Sequence, residues 1–116
     1  MAAFTKALLS ASTNGKQIVV VGTGTATANT IHTAVSGVSS VDEIWLYAYS
    51  QATAADVTFI WGGTTYPDDY MTSAVPIRGG RQLVVDGKLL QNGLVVKAFT
   101  STGTVQIDGF VNRISP

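Results

Sequence analysis

The run from Val41 to Ser50 constrains the fold of this chain more than any other segment. Its side chains alternate with a period of two residues, which is the period of a β-strand. The two sets are Ile44, Leu46 and Ala48 on one face and Trp45, Tyr47 and Tyr49 on the other. Because both faces carry apolar or amphipathic side chains, the pattern predicts a strand at the centre of a sheet.

Short runs of β-branched and aromatic residues recur along the rest of the chain, separated by Gly, Asn, Asp and Ser. This pattern predicts strands and turns, and strong helix formers such as Glu, Lys and Gln are scarce. Further strands are predicted at residues 5–10, 16–21, 30–35, 57–61, 71–77, 82–85, 94–100 and 105–113, with residues 89–90 as a short strand or turn. Eight or nine short strands favour an all-β fold, a single-domain antiparallel β-sandwich that is jelly-roll-like and spans residues 1–116.

Three local signals predict how these strands connect. Asn14-Gly15 is a tight-turn pair, which predicts a hairpin between the first two strands. Residues 1–16 are then either an edge hairpin or an arm that reaches a neighbouring subunit. The Arg-Gly-Gly-Arg sequence at 78–81 predicts another hairpin turn, and Pro76, which lacks a backbone N–H, places residues 71–77 at a sheet edge.

Charge is the most informative part of the composition. Seven basic and seven acidic residues cancel, and only 12% of positions are charged, against about 25% in typical soluble domains. Such a surface gives little electrostatic repulsion between copies, so we expect neighbouring chains to cover much of it. Nucleic acid is not an expected partner, because phosphate binding requires a clustered excess of Lys and Arg.

Other compositional features bear on cofactors and location. The absence of cysteine excludes disulfides and thiolate metal sites. No apolar run approaches the roughly 20 residues that a membrane-spanning helix requires, so no membrane is expected as a partner. The first twelve residues, interrupted by Lys6, make a poor secretory signal.

Several short patterns imitate functional motifs. Gly22-Thr23-Gly24 follows an apolar run as in a dinucleotide-binding fold, but Thr27 occupies the third glycine position, so a turn is the better interpretation. Asp68 and Asp69 are read as turn formers and not as calcium ligands. His32 is the single histidine and lies in a predicted strand, which favours a hydrogen-bonded structural role over a catalytic one. No enzyme activity, metal or cofactor is therefore expected.

The aromatic side chains have two interpretations. Large apolar groups must fill a sandwich roughly 10 Å thick, which favours a buried core. Exposed on one sheet face, the same rings would stack on sugars, as in a carbohydrate-binding module. The residues concerned are Trp45, Tyr47, Tyr49, Phe59 and Trp61.

Five sequence runs carry a resemblance to a known class of proteins. They are TIHTA at 30–34, VDEIWLYAY at 41–49, GGTT at 62–65, LQNGLVVKAF at 90–99 and GFVNRI at 109–114. From about residue 28 onward the chain resembles small virion proteins of tailed bacteriophages, and in particular capsid decoration, or cement, proteins. These runs are packing and turn patterns and contain no chemical motif.

The resemblance implies a function and a set of partners. It implies a structural subunit on the outside of the capsid, made in the host cytoplasm, that binds the major capsid protein and self-associates, commonly as a homotrimer. A neck, tail or head-fibre component and a carbohydrate-binding module remain alternatives. The candidate partner-contact residues are Lys6, Asp68, Asp69, Arg78 and Arg81.

Overall fold

A computed structural model of the chain describes residues 3–51 and 54–116, which form two antiparallel sheets packed face to face. The described strands are β1 (Ala3–Leu8), β2 (Ile18–Val20), β3 (Asn29–Thr33), β4 (Val41–Tyr49), β5 (Ala55–Trp61), β6 (Tyr70–Val75), β7 (Gln82–Leu90), β8 (Val95–Thr100) and β9 (Val105–Ser115). One turn of 3₁₀-helix, Thr25–Thr27, follows β2. In the described part of the chain no helix has the length and apolar character needed to cross a membrane.

The strand order confirms the predicted β-sandwich and identifies its topology. Sheet A contains β1, β2, β9, β4 and β7, with β1 and β2 both paired to β9. Sheet B has the order β3-β8-β5-β6. From β2 onward the strand orders of the two sheets are 2-9-4-7 and 3-8-5-6, and every connection except the one between β5 and β6 passes from one sheet to the other. This is the jelly-roll arrangement.

The predicted central strand, β4, lies between β9 and β7. Its even-numbered side chains, including Ile44, Leu46 and Ala48, are fully buried and face sheet B. Phe59 of β5 is the largest fully buried side chain and packs in the same core. The strict alternation of the sequence therefore corresponds to a buried inner face and a half-exposed outer face.

The predicted hairpin between the first two strands is wrong. β1 pairs with Phe110–Ser115 and β2 pairs with Val105–Ile107, so the two strands lie end to end along the same edge of β9. Asn14 and Gly15 do form a turn with positive φ. However, Leu9 enters the core and the backbone of Ala11 bonds to Ile31 of sheet B, so the connection leaves sheet A before it returns.

Two further predictions about strands also need correction. The 78–81 segment is not a hairpin turn, because it joins β6 of sheet B to β7 of sheet A. Residues 82–90 form one strand and not two, since a bulge with Gly87 at φ +84° keeps the ladder continuous past Asp86. The edge position predicted for residues 71–77 is confirmed, because β6 ends the sheet B order and stops before Pro76.

Candidate functional site

The side of sheet A that faces away from sheet B is the candidate functional site, and we call it the outer A face. It is formed by alternate residues of β1, β2, β4, β7 and β9. Among the described residues, nine large apolar side chains are exposed, and five of them lie here: Phe4, Leu8, Val19, Leu83 and Leu89. Single exposed apolar residues are ordinary, but a contiguous group marks a binding surface.

A pair of aromatic rings occupies the middle of the outer A face. Trp45 and Phe110 are opposite each other on β4 and β9, and their rings stack with centroids 6.3 Å apart and planes 11° apart. The indole Nε1 of Trp45 donates a 2.9 Å hydrogen bond to Glu43 Oε1, and Asn112 Nδ2 donates to the same oxygen at 3.0 Å. These bonds from Asn112 and Trp45 hold the pKa of Glu43 below its ordinary value. The carboxylate therefore stays ionised beside the rings.

Two cations lie on the same face. Lys6 Nζ is 5.2 Å from the centroid of the Phe110 ring. The guanidinium of Arg81 lies 3.7 Å from the Tyr47 ring, and its Nε is 3.0 Å from Asp108 Oδ2. Both cations are placed over aromatic rings as in cation–π contacts, which hold their charged ends close to the apolar surface.

The structure corrects the interpretation of the aromatic residues as one buried core. Phe59 is fully buried and Trp61 is partly buried against the core, as predicted. Trp45, Tyr47 and Tyr49 instead lie half-exposed on the outer A face. Partial burial of Tyr49, together with the nearby Asp108, raises the pKa of its hydroxyl above the ordinary value, which Arg81 partly offsets.

The five candidate partner-contact residues do not form one site. Lys6 and Arg81 both lie on the outer A face. Arg78 is exposed in the connection between the sheets, where its N–H donates to the Ser50 carbonyl. Asp68 and Asp69 lie in the loop between β5 and β6, and Asp69 Oδ2 accepts a 3.0 Å bond from the Thr65 N–H. The prediction of a turn former is thus confirmed for Asp69.

A polar cluster is buried at one end of the sandwich. Asp42 of β4 is fully buried, and its carboxylate accepts bonds of 2.7 and 2.9 Å from Arg113 and 3.1 Å from the Val35 N–H. His32 Nε2 lies 2.8 Å from Asp42 Oδ2. The Ser10 N–H donates to His32 Nδ1 at 2.9 Å, so Nδ1 must carry no proton and Nε2–H must donate to Asp42. Histidine is neutral in this arrangement, and Arg113 balances the aspartate.

The cluster has the composition of a Ser-His-Asp site but not its geometry. His32 contacts the backbone N–H of Ser10, whereas the Ser10 hydroxyl accepts a 2.7 Å bond from the Thr33 N–H. The imidazole is 1% exposed, so substrate cannot reach it. Burial raises the pKa of Asp42, but hydrogen bonds from Arg113 and His32 outweigh it and set the pKa below the ordinary value. The predicted structural role of His32 is confirmed.

One hollow of the surface has a lining that is poor in titratable groups. A hollow of about 220 Å³ lies between the 3₁₀ turn and the loop after β5, where it is lined by Thr25, Ile60 and Lys97. Lys97 is the one charged residue of its lining, so the hollow lacks the second titratable group that acid–base catalysis uses. Within residues 3–51 and 54–116, no group of three His, Asp or Glu side chains is arranged to hold a metal ion.

Comparison with known proteins found no matching family model, no matching curated protein and no matching solved structure. The resemblance to capsid decoration proteins therefore stays a prediction. Sequence reasoning missed Phe4, Leu89 and Phe110 as members of the candidate site. All three lie on the same face of sheet A as Trp45 and Glu43. This common position can be recognised only when the pairing of the strands is known.

Proposed function

We propose that this chain is a structural protein of a tailed-bacteriophage virion that decorates and stabilises the outer surface of the capsid. The observation that carries the proposal is the outer A face. It presents exposed apolar side chains from both edge regions of sheet A around the Trp45–Phe110 stack. Such a surface is stable in water when other protein chains cover it.

The charge content of the chain supports the same conclusion. With only 12% charged residues and no net charge, copies repel each other weakly, which suits a subunit that is crowded against others. Asp42 and His32 are buried and hydrogen-bonded, which supports a role of their cluster in folding. The resemblance of the five sequence runs supplies the virion context and implies self-association, commonly as a trimer.

Stabilisation would follow from mass action. A subunit that binds the assembled shell but not its dissociated proteins shifts the equilibrium toward the shell, and the effect grows with the number of copies bound. No catalytic step is required, because each copy contributes by covering surface at the junctions between capsid proteins.

Heating of decorated and stripped particles tests the proposal. Particles of the encoding phage are prepared with the protein, without it, and with purified protein added back. The proposal predicts that stripped particles release DNA at a lower temperature and that added protein restores the original value. Equal release temperatures for all three preparations would contradict the cementing role.

Copy number separates decoration from a neck, tail or head-fibre position. A decoration protein occurs in hundreds of copies per particle, whereas a neck or tail ring contains about a dozen. Quantitative gel densitometry against the major capsid protein measures this ratio. A ratio near that of a single ring would assign the chain to the neck or tail and not to the shell.

Carbohydrate binding is a second candidate, and the half-exposed rings of Trp45 and Tyr47 favour it. Aromatic side chains of this type stack on sugar rings. The carboxylates of Glu43 and Asp108 lie beside these rings and could accept hydrogen bonds from the hydroxyl groups of a sugar stacked there. A glycan array tests it with Trp45→Ala as the variant and Trp61→Ala as the control, because Trp61 packs against the core. Binding that is lost only in Trp45→Ala would support this candidate, and an array without signal would eliminate it.

A further inference from the structure

We propose that the outer A face is covered by the outer A face of a second copy of this chain, in a pair related by a two-fold axis parallel to the strands. The inference rests on the proposed function of an assembling subunit and names a copy of the chain, and not the capsid protein, as the partner of this face. The pair departs from the trimer that the resemblance implies, because a single self-complementary face joins two copies and not three. Three observations carry it, namely the size of the face, the distribution of its charges and the position of its rings.

The size of the face suits a pair of copies. The face is four strands wide and nine residues long along β4, which corresponds to roughly 15–20 Å by 30 Å. Its area is therefore on the order of 500 Å² before the relief of the side chains is counted, so two copies would bury about 1,000 Å² in total, which is the lower limit for a specific interface. Packing of two sheets face to face is also a geometry that proteins use in their own cores.

The charges of the face are divided between its two halves. Lys6 lies on β1 at one edge, while Glu43 on β4 and the exposed Asp86 on β7 lie in the opposite half. Arg81 and Asp108 neutralise each other through their ion pair. Such a surface is positive at one edge of the sheet and negative towards the other edge. It complements a copy of itself when the copy is rotated by 180° about an axis parallel to the strands, because this rotation exchanges the two edges.

The two-fold axis parallel to the strands produces this superposition. It places β1 of one copy over β7 of the other and β9 over β4. Lys6 then faces the half that carries Glu43 and Asp86, and Phe110 of one copy lies over Trp45 of the other. Because each copy uses the same surface, the contact closes at two copies, whereas a trimer requires two different surfaces on each copy.

Measurement of mass in solution tests the pair. Sedimentation equilibrium of the purified chain at about 0.1 mM is expected to give the mass of two copies. The variants Phe4→Lys and Leu89→Lys, both at exposed positions on the face, are expected to weaken the pair at least tenfold. Val38→Lys and Tyr66→Lys are matched controls, because these residues are 70% and 76% exposed but lie outside the face. Unchanged far-ultraviolet circular dichroism verifies that all four variants fold.

A charge exchange tests the orientation. Lys6→Glu would place a carboxylate over an acidic half and is expected to weaken the pair. Adding Asp86→Lys to the same chain reverses both charges and is expected to restore it. Failure of the second substitution to restore association would overturn the proposed axis.

The inference and the proposed function fail in different ways. A monomer at 0.1 mM, a trimer, or a pair that Phe4→Lys and Leu89→Lys leave intact would overturn the inference. Co-sedimentation of the unmodified protein with empty heads of the encoding phage would still support the proposed function in each of these cases. A two-fold pair that does not bind heads would support the inference and contradict the decoration role.

Discussion

Asp42 Oδ2 and His32 Nε2, on different sheets of the sandwich, lie 2.8 Å apart and join β4 to β3. The proton of this bond belongs to histidine, because the other ring nitrogen accepts from the Ser10 N–H. Arg113 of β9 supplies the charge that balances the aspartate. The buried carboxylate thus connects β4 with β3 and β9, and His32 extends the network to the segment that follows β1.

Asp42→Asn is expected to destabilise the fold by on the order of 3 kcal/mol. The asparagine amide has no negative charge to balance Arg113. Its NH2 group also replaces one of the two acceptor oxygens of the carboxylate, so a buried donor that bonds to Asp42 loses its partner. Urea denaturation measures the change in free energy of unfolding. Asp108→Asn is the control, since its ion pair with Arg81 is partly exposed and is expected to contribute less than about 1 kcal/mol. Equal effects of the two substitutions would contradict a special role for Asp42.

The stability of the protein is expected to fall in acid for the same reason. The pKa of Asp42 is lower in the folded chain than its ordinary value of 3.8. The stabilisation is therefore complete above the unfolded pKa and is lost as the pH falls from there through the folded pKa. Thermal unfolding followed between pH 6 and pH 2 measures the loss. Asp42→Asn should show a flatter dependence over this range, and an identical slope in both proteins would rule out Asp42 as its source.

Gly109→Ala is expected to destabilise the protein by roughly 2 kcal/mol or more. Gly109 of β9 has φ +152°, and a Cβ atom there would lie 2.0 Å from the carbonyl oxygen of Trp45. The added methyl group must therefore separate β9 from β4. Gly24→Ala is the matched control, because Gly24 is extended at φ −161° with no heavy atom within 4 Å of the new Cβ. Its free energy of unfolding should change by less than about 1 kcal/mol.

Phe59→Ala is expected to cost about 3–5 kcal/mol, because it leaves a cavity between the two sheets. Phe4→Ala removes an identical side chain that is 73% exposed and should change stability by less than about 0.5 kcal/mol. Chemical denaturation of both variants at a concentration that keeps the chain monomeric measures the contrast. A large loss in Phe4→Ala under these conditions would mean that Phe4 packs within its own chain.

The sequence was most informative about strands that are buried on one face. The alternation over Val41–Tyr49 predicted β4 and its central position, since burial of one face enforces a period of two. Pro76 likewise predicted an edge, because a residue without an N–H cannot join a central ladder. The prediction was wrong where a local turn signal was taken to pair its flanking strands. Asn14-Gly15 does turn the chain, yet β1 and β2 each find a partner in β9.

By itself the sequence determined a charge-poor all-β chain with the strands of a sandwich, because these properties depend on composition and on the period of neighbouring residues. Only the tertiary structure decided which face of β4 is buried. Both faces carry large apolar side chains, so the pattern alone could not place Trp45 outside and Ile44 inside. The pairing of β4 with β9 and β7 brings Phe110 opposite Trp45 and Leu89 opposite Glu43 from distant positions in the chain. The outer A face exists only through these pairings, which no local pattern encodes.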